Sequence, residues 1–434
     1  MDNSELARED LRYIWHPCTQ MHDHESFPPI PIKSGKGLYL YDFEGNAYID
    51  GISSWWVNLF GHSHDYINAK ITHQLGELEH VLLAGFSHEP IIRLSKRLVE
   101  MTPDGLNRCF YADNGSSAIE VALKMSYHLH KLQGRNRPHF LSLSNSYHGE
   151  TIGALSIGDV ALYKETYGEI LFESIQTPVP KDQSRESALL ALEALEAILT
   201  KRGTEISAMI LEPLVQCAGG MHMYAPEYIK GASKLCKERG IHLIFDEIAV
   251  GFGRTGKLFA LEWCGVTPDF LCLSKGITGG YLPLSVVMMS EESYGAFYAP
   301  YEEGRSFLHS HSYTGNALAC SAANATLDLL EDGSVLERNT TLSAQMGAKL
   351  TWLSGRHSFI KNTRIQGMIA AFDVEGFPET RRIGRTIHQA LLKEGILLRP
   401  LGNVIYFMPP YIITPEEIER VFDALDKVLS TLKK

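Results

Sequence analysis

The amino-acid sequence, 434 residues long, lacks the features that mark several specialised classes of protein. No apolar run approaches the roughly 18 residues needed to cross a membrane. The formal net charge is −11 and no cluster of basic residues interrupts it, which argues against nucleic-acid binding. The N-terminal stretch MDNSELARED is acidic and contains no apolar core of a secretory signal. We therefore expect a soluble cytoplasmic protein that binds neither membrane nor nucleic acid.

The sequence also contains no CxxC pair among its seven cysteines, several of which lie in apolar runs. That usage fits reduced thiols in the cytosol and predicts no disulfide. Pairs of the form His-x-His begin at His22, His62 and His309, but none has a Cys or carboxylate partner at a spacing that singles out a ligand set. Structural or surface histidines are the better interpretation, and we expect no metal site.

The sequence does contain enough apolar material for a large core, since 44% of its residues are hydrophobic and 21% are charged. A chain of this length predicts two domains. Between about 61 and 325, helical patterns alternate with short apolar runs, which predicts a large domain with a mostly parallel sheet and helices on both faces. The runs are 108–113, 139–143, 207–211, 241–245, 270–273 and 285–289.

The segments on either side of this large domain have a different pattern. Residues 1–60 predict a short helix, an arm and a hairpin over 37–50. Residues 326–434 predict a small α+β unit with a long first helix and a last helix that begins at a capping box of Thr414 and Glu417. The strands expected between those helices lie near 365–374, 396–399 and 404–408.

Two of the buried runs lead to residues that carry chemistry. The run 241–245 is followed by Asp246, and the run 270–273 leads to Lys275. Because the carboxyl ends of parallel strands meet at one edge, where open α/β sheets bind ligands, the acid and the amine should face one site. Pyridoxal phosphate uses such a pair: a lysine holds its aldehyde as a Schiff base, and a carboxylate keeps its ring nitrogen protonated. A capped loop and a solvated strand end are the alternative interpretation.

Two other cofactor motifs overlap this segment. Residues 243–247 have the form of a Walker B strand, and residues 251–257 match the first seven positions of a P-loop. Position eight is Leu258, where magnesium binding needs a hydroxyl group, and the loop follows the acidic strand instead of preceding it. The loop also spells G-x-G-x-x-G, but no crossover helix and second acid follow it. A glycine-rich turn beside Asp246 is favoured; an ATPase and a non-catalytic sugar or nucleotide binding module are the rival classes.

A third segment is a candidate for holding a phosphate group. Residues 114–120, Asn-Gly-Ser-Ser-Ala-Ile-Glu, follow an apolar run and start a helical pattern. Gly115 and Ser116 would then offer backbone N–H groups and a hydroxyl to an anion at the helix N-terminus. An ordinary capping box made by Ser117 and Glu120 is the alternative.

Aromatic residues complete the candidate site. Tyr147, in Ser-Tyr-His-Gly after the run 139–143, would project from the same edge and stack on a pyridine ring, although loop packing is the ordinary interpretation. Trp55 and Trp56 form an unusual pair that would wall a substrate tunnel, and burial in the core is an equally weighted alternative.

With these residues in place, the chain resembles the class III pyridoxal-phosphate aminotransferases of fold type I. Within that class, the Trp-Trp pair and the Arg-Pro-x-Gly segment are similar to the branch that aminates 8-amino-7-oxononanoate in biotin biosynthesis. The resemblance implies an α/β fold, with a seven-stranded, mostly parallel sheet in residues 61–325 and a small α+β domain built from residues 1–60 and 326–434. The matching stretches, which cover nearly the whole chain, are Trp15-His16-Pro17, SSWWVNLFGH, SYHGET, EPLVQCAGGMHMY, FDEIAVGFGRTGKLFA, LSKGITGG, Tyr313–Asn316 and LLRPLGNVIYFMPPYI.

The resemblance also implies roles for individual positions. Catalysis is implied for Lys275, which holds the cofactor and shuttles a proton, for Asp246 and for Tyr147. Cofactor binding is implied for Gly115, Ser116, Tyr147, Asp246, Lys275 and Ser312, the last toward the phosphate of the neighbouring subunit in a homodimer. Substrate binding is implied for Trp55, Trp56, Tyr147, Ser310 and Arg399, whose planar fork suits the carboxylate of 8-amino-7-oxononanoate.

The amino donor implied by the resemblance is S-adenosylmethionine. Two positions depart from the family pattern: Cys18 stands where an aromatic residue is usual, and His311-Ser312 stand where Pro-Thr is usual. Some relatives that use lysine as donor also differ at the first position and share a His-Ser-Tyr-Thr-Gly-Asn segment. The same reaction with lysine, and a class III aminotransferase for another ω-amino substrate, are therefore the alternatives.

Overall fold

The structure is a computed structural model and describes residues 2–432. Its strands are β1 Ile32–Lys36, β2 Tyr39–Asp42, β3 Ala47–Asp50, β4 Arg108–Ala112, β5 His139–Leu143, β6 Ile175–Thr177, β7 Ile206–Leu211, β8 Val215–Gln216, β9 His222–Met223, β10 His242–Asp246, β11 Phe270–Leu273, β12 Ser285–Met289, β13 Ile360–Gln366, β14 Ile369–Val374, β15 Ile396–Leu397 and β16 Val404–Phe407.

The helices alternate with these strands in the middle of the chain. They are α1 Asn3–Tyr13, α2 Ser53–Trp56, α3 Asp65–Leu75, α4 Glu89–Met101, α5 Gly115–Leu132, α6 Ile152–Ile157, α7 Ala161–Lys164, α8 Arg185–Arg202, α9 Pro226–Glu238, α10 Leu261–Cys264, α11 Glu291–Phe297, α12 Ala317–Asp328, α13 Ser334–Arg356, α14 Ile383–Lys393 and α15 Pro415–Ser430. Short 3₁₀ turns lie at Met21–Glu25, Glu165–Ile170, Gly203–Glu205, Lys275–Thr278, Tyr301–Glu303 and Glu379–Arg381.

The central sheet has, within the described residues, seven strands in the order β4-β12-β11-β10-β7-β5-β6. All of them run parallel except β12, which is antiparallel to both β11 and β4. The expectation of a mostly parallel sheet is confirmed. The six carboxyl ends of β4, β5, β6, β7, β10 and β11 therefore lie along one edge.

Alternate residues of the strands pack on opposite faces of the sheet. Leu243 and Phe245 of β10 lie in one hydrophobic cluster with side chains of α8 and α9, whereas Ile244 lies in a second cluster under α5. Each such fully buried side chain stabilises the fold by about 1.5–3 kcal/mol. Both faces are covered by helices, as the unbroken apolar character of this strand predicts.

The N-terminal and C-terminal segments share a second, smaller sheet of order β1-β2-β3-β15. Strand β15 pairs in parallel with β3, and the N–H of Ile49 donates to the carbonyl of Gly395 at 2.8 Å. This pairing supports the division into segments 1–60, 61–325 and 326–434, which stays our proposal. The hairpin expected over 37–50 forms as β2 and β3.

One predicted strand is wrong in its extent. The pattern 365–374 is not a single strand but spans the end of β13, a tight turn and all of β14, which pair in antiparallel fashion. The turn is possible because Gly367 has φ +56, and a Cβ at that position would lie 2.3 Å from the Thr255 carbonyl carbon.

The last helix begins as its sequence predicts. Thr414 accepts a hydrogen bond from the N–H of Glu417, and the Glu417 side chain accepts one from the N–H of Thr414. This reciprocal capping box, with Pro415 in the first turn, defines the start of α15. Among residues 2–432, no helix combines the length and the apolar character that a bilayer crossing requires.

Candidate active site

Asp246 ends β10 at the edge of the central sheet and is only 5% exposed. Its Oδ2 lies 2.7 Å from Nδ1 of His148, and its Oδ1 accepts the N–H of Ile248 at 3.1 Å. The carboxylate is an acceptor, so His148 donates from Nδ1. Nε2 of His148 is buried and has no hydrogen-bond partner within residues 2–432. The hydrogen bonds from His148 and Ile248 thus fix the orientation of the Asp246 carboxylate, which borders a cavity.

Lys275 follows β11, the neighbour of β10, as the sequence predicts. Its backbone has φ +44, a left-handed conformation that is rare for a side chain of this kind. Burial lowers the pKa of Lys275, while Cys217, Asp246 and Glu212 act in the opposite direction. Because a lysine with a lowered pKa is more often neutral, its amine is available as a nucleophile.

A cavity of about 540 Å³ lies between Lys275, Asp246 and the start of α5. This volume falls within the roughly 300–1,000 Å³ that is usual for small-molecule sites. Gly115 and Ser116 line the cavity at the N-terminus of α5, and Tyr147 lines it from the loop after β5. With Trp56, which also lines the cavity, the structure therefore brings together six of the residues selected from the sequence.

The capping of α5 differs from the expected alternative. The cap is Asn114, whose side chain accepts the N–H of Ser117 at 3.0 Å. Glu120 instead accepts the Thr151 hydroxyl at 2.6 Å and the N–H of Gly153 at 2.8 Å, at the start of α6. The alternative interpretation, a capping box made by Ser117 and Glu120, is therefore wrong, because Glu120 binds another segment of the chain.

The glycine of Ser-Tyr-His-Gly allows a close contact beside the cavity. Gly149 has φ +125, and a Cβ there would lie 2.0 Å from Oγ of Ser116. Any larger residue would push the Tyr147 loop away from the start of α5. This contact joins the two segments that are candidates for the ring and the phosphate of a cofactor.

Tyr147 is held at both its backbone and its side chain. Its N–H donates to Oε1 of Glu212 at 3.0 Å, and its hydroxyl donates to Oε1 of Glu150 at 3.0 Å. Burial raises the pKa of Tyr147, so the hydroxyl keeps its proton. Sequence reasoning missed Glu150, which also lies 3.8 Å from Sγ of Cys18. Its position three residues after Tyr147 was the available signal.

Glu212 is a second acid beside the cavity; the sequence predicts that it ends a strand near the site, but the sequence gives it no role. It follows β7, lines the cavity and is 5% exposed. Burial raises its pKa to about 7, the nearby Asp246 acts in the same direction, and His148 opposes both. The site therefore contains a carboxyl group that changes charge near neutral pH.

The two tryptophans occupy a left-handed turn and have different environments. Residues Ser53, Ser54, Trp55 and Trp56 have φ values of +52, +46, +74 and +74. Each such residue costs about 1–2 kcal/mol. Asp50 offsets that cost in part, since its carboxylate accepts the Ser54 N–H at 2.9 Å and the Ser54 hydroxyl at 2.7 Å.

Trp56 faces the first cavity and Trp55 faces a second one. Trp56 is 3% exposed, donates from Nε1 to the Tyr406 hydroxyl at 3.1 Å, and its ring centroid lies 4.5 Å from Nζ of Lys275. Trp55 is 37% exposed, and its ring centroid lies 5.1 Å from Cζ of Arg399. The pair thus combines the two interpretations: one ring is core and cavity wall, the other is pocket wall.

The second cavity has a volume of about 890 Å³ and is adjacent to the first. Cys18, Trp55, Tyr163 and Arg399 line it, and the Tyr163 and Tyr147 ring centroids are 5.3 Å apart. Arg399 donates to the Cys18 carbonyl at 2.9 Å. Trp55 in the wall of this second cavity is the chain neighbour of Trp56 in the wall of the first, and the Arg399 guanidinium lies beside Trp55.

Two of the selected residues are not brought to either cavity by this chain. Ser310 and Ser312 are exposed and line neither space. The Ser312 carbonyl accepts a hydrogen bond from Nε2 of His80 at 2.7 Å. Within residues 2–432, no group of three or more His, Cys, Asp or Glu side chains is arranged to hold a metal ion.

The glycine-rich segment 251–257 is structural in this fold. Arg254 is 1% exposed and donates to the carbonyls of Pro409 at 2.7 Å and Asn58 at 3.0 Å. The segment leads to the four-residue helix α10, so no long helix N-terminus is available for a nucleotide phosphate. This geometry contradicts the P-loop alternative.

Comparison with known proteins agrees with this geometry. The profile of the family Aminotransferase class-III matches residues 19–429. An adenosylmethionine-8-amino-7-oxononanoate aminotransferase of Helicobacter pylori is 56% identical over 99% of this chain and 98% of its own. The crystal structure of the Methanocaldococcus jannaschii protein of the same name has a TM-score of 0.94 at 37% identity, with 99% of each chain covered. A PLP-bound amine transaminase from an uncultivated Pseudomonas species has a TM-score of 0.91 at 29% identity, covering 96% of this chain and 98% of its own.

Proposed function

The chain belongs to the class-III aminotransferases, and we propose that it transfers an amino group from S-adenosylmethionine to the ketone of 8-amino-7-oxononanoate. The product, 7,8-diaminononanoate, is an intermediate of biotin biosynthesis. The full-length similarity to the Helicobacter pylori protein carries this proposal. The two adjacent cavities support it, since one suits a cofactor and the other a substrate tail.

The fold and the cofactor follow from the family. The chain has fold type I, and its cofactor is pyridoxal phosphate. The residues present fit that group: a buried amine and a buried carboxylate border the first cavity, and a helix N-terminus with a glycine and a hydroxyl lies beside it. Gly115 supports the fit, because a Cβ there would lie 3.0 Å from Ile248.

Pyridoxal phosphate, when bound, supplies an aldehyde for amine exchange and an aromatic ring that accepts electrons from the substrate carbon. Lys275 would provide the resident amine at Nζ and would hold or move a proton at that atom. Asp246 would provide a carboxylate to the ring nitrogen and favour its protonated form, and His148 keeps that carboxylate oriented. Gly115 and Ser116 would bind the phosphate.

Substrate recognition is assigned to the second cavity. Arg399 would bind the carboxylate of 8-amino-7-oxononanoate with two parallel hydrogen bonds, as a guanidinium fork does. Trp55, stacked near that guanidinium, would cover the alkyl chain, and Tyr147 would lie between the tail and the reacting carbon.

A homodimer in the cytoplasm completes the proposal. Ser310 and Ser312 lie outside both cavities of this chain, which supports their assignment to the site of a neighbouring subunit. Ser312 would donate a hydroxyl hydrogen bond to the phosphate there, and Ser310 would contact the substrate.

The donor has one specific alternative, lysine, and the observation that favours it is Cys18. Its small side chain stands where an aromatic residue is usual, and its sulfur is 3.8 Å from the exposed Glu150. A carboxylate that is accessible in this way would bind the second ammonium group of lysine.

The experiment is an amination assay with purified, cofactor-loaded protein. 8-Amino-7-oxononanoate is incubated with S-adenosylmethionine, with lysine or with an ω-amino acid as the separate donor, and 7,8-diaminononanoate is measured by mass spectrometry. Product with S-adenosylmethionine alone supports the proposal. Product with lysine alone would show that lysine is the amino donor, and the absence of product with every donor would show that 8-amino-7-oxononanoate is not the substrate.

A further inference from the structure

The loop that carries Tyr147 to the site is held by carboxylates from other parts of the chain. Asn145 donates its N–H to Oδ2 of Asp159 at 2.8 Å. Tyr147 donates its N–H to Oε1 of Glu212 at 3.0 Å. Glu120 holds the far end of the loop through the contacts with the start of α6 described above. Of these, only the Glu212 contact is made by the backbone of Tyr147 itself.

Glu212 uses both of its carboxylate oxygens as acceptors of backbone N–H groups. Oε1 accepts from Tyr147, and Oε2 accepts from Cys217 at 3.1 Å. Within residues 2–432, no Lys or Arg forms a salt bridge with it. Both hydrogen bonds favour the ionised form, because a protonated oxygen is a donor that would face another donor.

The groups around Glu212 oppose one another in their effect on its charge. Burial and the carboxylate of Asp246 favour the neutral acid, whereas His148 and the two backbone N–H groups favour the carboxylate. The other titratable groups that face Glu212 are the Lys275 amine, the Cys217 thiol and the Tyr224 hydroxyl. The Tyr224 hydroxyl donates to the backbone carbonyl of Glu212. The balance raises the pKa of Glu212 to about 7.

We infer that Glu212 is a positioning residue: as a carboxylate it fixes the backbone of Tyr147 and hence the position of the Tyr147 ring against the cofactor, and as a neutral acid it releases that backbone. Protonation weakens these N–H bonds, because a neutral carboxyl group is a poorer acceptor than a carboxylate. The loop is anchored elsewhere by Asp159 and Glu120, so release at Glu212 shifts the ring without unfolding the segment. The site is then less ordered at acidic pH than at alkaline pH.

This inference rests on the cofactor of the proposed function but not on its substrate. The test follows circular dichroism of the bound cofactor in protein loaded with pyridoxamine phosphate, which has no imine to titrate. The dichroism reports the position of aromatic side chains around the ring and needs no turnover. Wild-type protein is expected to show one step with a midpoint near 7 as the pH is raised from about 6 to about 8.5.

Two variants make the assignment specific. Glu212→Gln retains one acceptor and places an amide donor against the second N–H, so it should resemble acidic wild type at every pH. Glu120→Gln is the matched control, because it makes the same carboxylate-to-amide change at the other end of the loop and should retain the step. Absence of the step in wild type, its persistence in Glu212→Gln, or its loss in Glu120→Gln would each overturn the inference.

A double-mutant cycle separates positioning of Tyr147 from a general structural role. Glu212→Gln should lower kcat/KM about tenfold at alkaline pH, because the variant loses one hydrogen bond to a charged group. In a Tyr147→Ala background the same change should cost less than about twofold, since no ring remains to be positioned. An equal loss of kcat/KM on Glu212→Gln in the wild-type and Tyr147→Ala backgrounds would refute the inference. Protein that shows the dichroism step but cannot aminate 8-amino-7-oxononanoate would reject the substrate and retain the role of Glu212.

Discussion

Replacement of Asp246 by Asn tests the carboxylate that the fold places beside the amine. Asn is nearly isosteric, so the fold should tolerate it. The Asn oxygen can still accept one hydrogen bond from His148 or from the N–H of Ile248, which Asp246 binds at 2.7 and 3.1 Å. Its NH₂ group then replaces an acceptor with a donor. A ring nitrogen facing that donor has no anion to keep it protonated, and the ring becomes a weaker electron acceptor.

The magnitude follows from the buried position of the carboxylate. Asp246 is 5% exposed, so water cannot replace the lost charge. Removal of one pre-organised electrostatic contact from a buried site costs about 10²–10³-fold in kcat, or about 2.7–4 kcal/mol. We expect a loss at the upper end of this range, because the substitution also leaves a donor without an acceptor.

The assay is a single-turnover half-reaction, in which the bound cofactor is mixed with donor and its visible absorbance is followed. Asp269→Asn is the matched control: Asp269 lies at the opposite end of β11 and accepts the N–H of Leu243 at 2.7 Å. That variant should lose stability and keep its rate. A rate for Asp246→Asn within about threefold of wild type, or an equal loss in Asp269→Asn, would show that the carboxylate has no special role.

Four other perturbations give separate expectations. Lys275→Ala should fold and bind pyridoxal phosphate but show no turnover, and borohydride treatment should leave no cofactor covalently attached to the chain; undiminished activity would refute the assignment of Lys275. Arg399→Lys should raise KM for 8-amino-7-oxononanoate about 10–100-fold with a smaller change in kcat, because lysine keeps the positive charge but lacks the planar guanidinium fork. An unchanged KM in steady-state assays would show that another residue binds the substrate carboxylate. Burial lowers the pKa of both His130 and His242 to about 4, whereas a histidine in the unfolded chain has a pKa of about 6.5. The unfolded chain therefore binds more protons between these values, and the free energy of unfolding measured in urea should fall as the pH drops from about 6.5 to about 4. A free energy of unfolding that does not change in that window would contradict the buried, neutral state of these two histidines. Thr414→Ala removes the cap of α15 and should lower the free energy of unfolding by about 1 kcal/mol, whereas an unchanged denaturation midpoint would mean that the cap contributes nothing.

The parts of the fold that sequence patterns predicted best are those with local causes. The run 241–245 is apolar at every position because its strand is covered on both faces, and Asp246 follows where the strand ends. The last helix has a capping box and one apolar stripe. In contrast, the three-residue strand β6, Ile175–Thr177, is too short to show a period and was not identified.

The candidate site was predicted in part for the same reason. Lys275 and Asp246 follow neighbouring parallel strands, so their proximity follows from strand direction alone. Glu150 and the contacts of Cys18 were missed because they depend on the paths of loops. The Arg399 contact with the Cys18 carbonyl joins residues 381 positions apart, and no local periodicity encodes such a pairing.

Polarity patterns and backbone preferences act over short stretches of the chain, and they are sufficient to specify the alternation of strands and helices, the ends of the buried strands and the residue types at those ends. Long-range packing is needed to specify that Glu120 binds the start of α6 instead of capping its own helix, that the Trp pair divides between core and pocket, and that Glu212 binds the backbone of Tyr147, 65 residues away in the chain. Those outcomes depend on which segments the sheet edge brings within hydrogen-bond distance, a property of the whole packed chain.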